Sequence, residues 1–94
     1  MKICIIEPCG FTRLGIFSYL TENNSLDIID TVNISHSLEL IPAFQPDIIL
    51  VNMTSHCHNA ELSEELKVFF EFRHIAKIYC YVDASYPDSD TPIS

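Results

Sequence analysis

Four short apolar runs stand out along the chain: KICIIE (2–7), LDIIDTV (26–32), DIILVNM (47–53) and KIYCYV (77–82). Each has the length of a strand and is rich in Ile, Val or Tyr, residues that fit a pleated, half-buried surface. The first and third are nearly continuous hydrophobes, as central strands covered on both faces require. The second and fourth mix in polar or aromatic residues. Between the runs the spacing turns helical. Phe11, Leu14, Phe17 and Leu20 fall three apart over 11–22, and Asn23-Asn24 offers a C-terminal stop. Ser35 can cap a helix over 36–44 with Leu38, Ile41 and Phe44 on one face, which Pro42 should kink or shorten. Within 60–73, Leu62, Leu66, Phe69 and Phe70 occupy i, i+4, i+7 and i+8 behind Asn59 as N-cap. Lys67 and Glu71 are i, i+4 neighbours on the other face of that helix.

The alternation β-α-β-α-β-α-β predicts a parallel sheet with right-handed crossovers. The expected fold is α/β: a flavodoxin-like parallel sheet of strand order 2-1-3-4 over residues 1–83, truncated before a last βα unit. The polar stretch ASYPDSDTPIS (84–94), with Pro87 and Pro92, reads as a loop or linker. Ligands of such sheets sit beyond the C-terminal strand ends, at the switch point between the first and third strands. Those ends are Glu7-Pro8 and Asn52-Met53-Thr54. One carboxylate and one amide make a poor Mg²⁺ site, and the amide supplies no nucleophile.

Charge and cysteine usage narrow the class. Apolar residues make up 48% of the 94, which fits one globular domain. Thirteen acidic against five basic residues give a net charge of −8, which repels a phosphate backbone and argues against direct nucleic-acid binding. Cys4, Cys9, Cys57 and Cys80 form no C-x-x-C pair, and Cys4 and Cys80 sit inside apolar runs where a thiol packs as a small hydrophobe. The opening MKICIIEP is too short in apolar residues for a signal peptide, and no run approaches the roughly 18 that a membrane helix needs. A reduced, cytoplasmic protein is expected.

His56, Cys57 and His58 carry the main rival chemistry, with Glu7 and Cys9 on neighbouring loops. Imidazole and thiolate are good zinc ligands, so a metal- or redox-responsive sensor domain using these three residues is the alternative function. Adjacent loop residues seldom all reach one ion, however, and no second pair is spaced to complete a tetrahedron. The expectation is no metal and no cofactor. Cys57 has neither an orienting third residue nor an oxyanion hole to make it a catalytic nucleophile, so an enzyme is not expected. Plainer roles also fit: Glu7 as a solvated acid near a helix N-terminus, Arg13 as a surface or interface cation, and Phe69, Phe70 and Phe72 as core.

The order of elements and the run P-D-I-I-L-V resemble the receiver domain of bacterial response regulators. CGFTRLGIFSYL (9–20) and QPDIILVN (45–52) are similar to the amino-terminal region of RcsA-type capsule regulators of the LuxR/FixJ group. An active receiver holds Mg²⁺ with two adjacent acids, and here Glu7 and Pro8 stand at those positions. The acceptor aspartate falls on Asn52, and the switch hydroxyl falls near Val82 with Asp83 beside it. The resemblance therefore implies a degenerate phosphoacceptor pocket and a non-catalytic pseudo-receiver. It acts by forming dimers with itself or with a related response regulator. By the same resemblance, DNA is read only by a carboxy-terminal domain outside these residues.

In the order 2-1-3-4 the fourth strand is an edge, with unpaired N–H and C=O groups that invite another chain. IYCYV has no charge and no proline; Tyr79 and Tyr81 share one face, and Ile78, Cys80 or Val82 are expected half bare. Ile78, Tyr79, Cys80, Tyr81 and Val82 are thus the expected interface, with two copies pairing these strands antiparallel about a twofold axis.

Overall fold

The computed structural model describes residues 1–22, 25–54 and 64–83. Its order is β1 (Lys2–Ile6), α1 (Gly10–Glu22), β2 (Asp27–Thr31), α2 (Ile34–Phe44), β3 (Ile48–Asn52), α3 (Glu64–Phe70), a 3₁₀ turn (Glu71–His74) and β4 (Lys77–Tyr81). The four strands form one sheet in the order β2-β1-β3-β4, and every pairing is parallel. The fold is α/β and consistent with a flavodoxin-like architecture. Its central strands are the two that read as continuous hydrophobes.

The two faces of the sheet are covered unequally. Cys4, Ile6, Ile49 and Val51 point to one side and pack with Ile34 and Ile41 of α2 and Leu66 and Phe69 of α3. Phe69 is fully buried and meets Phe70 and Phe72 edge-on, with ring centroids 5.2 and 6.2 Å away. Burial pushes the Cys4 thiol up to about 12, as befits a thiol used for packing. Cys80 departs from the reading of it as a packed hydrophobe and accords with the one that leaves it half bare on an edge strand. It lies on the outer strand and is exposed, because an edge strand lacks a neighbour on one side. The other face carries Ile3, Ile5, Ile48, Leu50, Tyr79 and Tyr81 by strand parity and register, and α1 lies over it.

α1 is rotated away from the expected orientation. Its three-apart stripe points outward at Phe11, Leu14 and Phe17, while Arg13, Ile16 and Leu20 turn inward and no residue of the helix is buried. The cause is local. Arg13 Nη1 donates to the Glu7 carbonyl at 2.7 Å, and Arg13 Nε lies 3.5 Å from Asp30, so this side of the helix is held against the sheet.

The helix ends differ in detail from expectation. Asn33, not Ser35, caps α2: its Oδ1 accepts from the His36 amide at 2.8 Å. Ser35 instead donates to Glu65 Oε1 at 2.7 Å, tying α2 to α3. α2 continues past Pro42 to Phe44, where Gln45 closes it in the left-handed region at φ 54° with its N–H on Ile41 O. Pro42 has no N–H to give the Leu38 carbonyl four residues back, so the helix forgoes that one bond and still closes through Gln45. Lys67 pairs with Glu64 rather than Glu71, which turns into the 3₁₀ segment and meets Arg73 and His74. The expected caps at Asn23-Asn24 and Asn59, Leu62, and the tail 84–94 lie outside the described residues.

Candidate functional site

Register builds the site. Ile6 is the β1 partner of Val51, so Glu7 comes level with Asn52, and Asn52 in turn is partnered by Tyr81 on β4. Parallel partners share a face, which sets Glu7, Asn52 and Tyr81 in one row across the C-terminal ends of three strands. The ladder continues just past the strands: the Glu7 amide donates to Thr31 O at 3.0 Å and the Met53 amide to Tyr81 O at 2.7 Å.

Hydrogen bonds close this row completely. Asn52 Nδ2 donates to Glu7 Oε1 and to Asp83 Oδ1, each at 2.9 Å, while Asn52 Oδ1 accepts from the Thr54 amide at 2.8 Å. Tyr81 OH donates to Glu7 Oε1 at 2.5 Å, and the Cys9 amide donates to Oε2 at 3.0 Å. The Asp83 amide donates to Thr54 Oγ1 at 2.8 Å, fastening the loop after β4 to the loop after β3. Only the amide nitrogen can face two carboxylates, so the network fixes which way Asn52 points. Glu7 and Asn52 are 1% and 5% exposed, and a carboxylate that dry must be well compensated.

It is compensated. Burial pushes the Glu7 carboxyl up, but the hydrogen bonds from Tyr81, Asn52 and the Cys9 amide, with Arg13 nearby, outweigh it. The net effect holds Glu7 below the usual carboxylate range. Tyr81 moves the opposite way, raised by burial and by donating to an ionised Glu7. The reading of Glu7 as a solvated acid is thereby corrected. Arg13 is likewise no free cation: it spans the Glu7 carbonyl and Asp30.

The positions singled out in the sequence divide into two groups. Glu7 and Asn52 meet, and Asp83 joins them. Pro8 is exposed, and Val82 is half-exposed, while the hydroxyl that reaches the pocket from β4 belongs to Tyr81. No sequence signal places Tyr81 here, because the register that sets it level with Asn52 is a tertiary fact. Of the expected interface residues, Ile78 and Tyr81 are half-buried, and Tyr79, Cys80 and Val82 are exposed. His56, Cys57 and His58 lie outside the described residues. Among the described residues no group of three His, Cys, Asp or Glu side chains is placed to hold a metal ion. No described helix is long and apolar enough to cross a membrane.

Chemically, the pocket places two carboxylates around an amide that spends both of its hydrogens on them. An attacking oxygen is missing at the central position, and the donors that a cation would replace are already in place. The arrangement holds three strand ends together through side-chain hydrogen bonds.

No curated protein and no solved structure matches the chain. The family model described as "Transcriptional regulator RcsA, N-terminal dimerisation domain" matches residues 2–94. With nearly its whole length matched, the chain belongs to the family of RcsA amino-terminal dimerisation domains, modules of transcription regulators.

Proposed function

We propose that this domain is a pseudo-receiver of a LuxR-type transcription regulator that works in the cytoplasm by dimerisation and without phosphorylation. The partner is a second copy of the chain or a related response regulator. DNA contact belongs to a carboxy-terminal domain, in keeping with the net charge of −8 on these residues. The observation that carries the reading is Asn52, whose amide bridges Glu7 and Asp83 where a receiver needs a nucleophile beside a metal. The family's description as a dimerisation domain supports the dimerising part of this reading.

Treatment with acetyl phosphate and Mg²⁺, followed by intact-mass measurement, is expected to leave the mass unchanged. A stoichiometric phosphoryl adduct mapping to the pocket would overturn the phosphorylation-independent reading.

A further inference from the structure

The exposed side of α1 carries the two most exposed large apolar side chains among the described residues, Phe11 and Tyr19. Phe11 is 90% exposed, Tyr19 77% and Leu14 62%, so the helix turns large apolar groups toward solvent along its length. Beside it, an apolar groove of about 580 Å³ runs between the helix and the β3–β4 half of the sheet, lined by Gly15, Ile16, Tyr19, Leu20, Leu50 and Tyr81. Apolar patches of this kind mark interaction surfaces.

Three details say what covers it. First, Phe11, Gly15 and Tyr19 stand at i, i+4 and i+8, so one ridge of the helix carries an aromatic on each side of a central glycine. Second, glycine is the poorest helix former after proline, and a Cβ built at Gly15 meets nothing within 4 Å. The fold of one chain therefore gives no reason for glycine there, whereas a second backbone crossing closely at that point does. Third, the chain carries 13 acidic residues against 5 basic ones, so copies repel in general. From Gly10 to Thr21 there is no carboxylate, and the single charge, Arg13, is tied to Glu7 and Asp30. This face is where like copies can approach without opposing charge.

Resting on the reading of the chain as a dimerisation domain, we infer that a second copy docks here, α1 against α1 and antiparallel about a twofold axis at Gly15. Phe11 of each copy lies against Tyr19 of the other and beside the groove. A ridge symmetric about its centre is self-complementary under such an axis, as an isologous contact demands. Rows of residues four apart are also the rows that interdigitate in close helix pairs.

The test is the dimer dissociation constant by sedimentation, for the wild type, Gly15→Gln, a Phe11→Ser/Tyr19→Ser double variant and Cys80→Lys, with thermal melts to verify folding. Gly15→Gln has free space within its own chain, and the double variant changes only exposed side chains, so both should fold. Each is expected to weaken the dimer about tenfold or more, the scale of a central interface position, while Cys80→Lys on the β4 edge leaves it within about twofold. A wild-type dimer that both α1 variants leave intact would overturn the α1 assignment, and loss with Cys80→Lys alone would move the contact to the β4 edge. A wild type that never dimerises would refute the self-association reading itself.

Discussion

Asn52→Asp is expected to destabilise the domain at pH 7 by roughly 3–5 kcal/mol, the range found when a buried charged group loses its compensating partner. The substitution keeps the shape of the side chain. It removes both N–H donors and inserts a third carboxylate between Glu7 and Asp83, which now receive repulsion from 2.9 Å where they received hydrogen bonds. For a chain of 94 residues each kcal/mol moves Tm by roughly 4–8 °C, so a fall of at least about 12 °C is expected.

The pH dependence should change sign in the same variant. In the wild type Glu7 is depressed below its unfolded value, so its contribution is present above about pH 4.3 and is lost as pH falls through the folded value. In Asn52→Asp one of the crowded carboxyls is raised. The variant is then penalised above its unfolded value and regains stability as acid supplies the missing proton. Millimolar Mg²⁺ or Ca²⁺ should also raise the variant's Tm and leave the wild type unmoved, because a cation then has a charge to neutralise. A variant as stable as the wild type at neutral pH would show that the amide bridge contributes nothing.

Phe69→Ala is expected to cost roughly 3–5 kcal/mol, the range for deleting a buried aromatic. Phe69 is fully buried between Phe70, Phe72 and the sheet, and a domain of this size has only about 5–14 kcal/mol in total. Its melt should fall by 12 °C or more, by the same conversion, or lose cooperativity. Val68→Ala, one residue away on the exposed side of α3, should stay within about 0.5 kcal/mol. Similar losses for the two would contradict the placement of the core on the α2–α3 face.

The sheet was legible because strand length and continuous burial leave the same mark. KICII and IILVN are apolar at almost every position, and they are the two strands with a neighbour on each side. α1 was not legible in the same way. It has apolar residues around most of its circumference, so the three-apart stripe could not say which side meets the sheet; Arg13 decides that through its contacts with the Glu7 carbonyl and Asp30. Asn33 and Ser35 are both competent caps two residues apart, and the buried Ile34 that fixes the helix start is a tertiary fact. At the site, the strand ends gave Glu7 and Asn52. From sequence alone Tyr81 reads as interface, because its alternation with Tyr79 is visible while its register against Asn52 is not.

On the proposed function these residues dimerise whether or not a phosphodonor is present. Sedimentation equilibrium of the chain at tens of micromolar, with and without acetyl phosphate and Mg²⁺, measures this directly. The predicted mass is twice the 10.7 kDa of one chain in both conditions. A mass of one chain throughout, or a doubling that requires the phosphodonor, would contradict it.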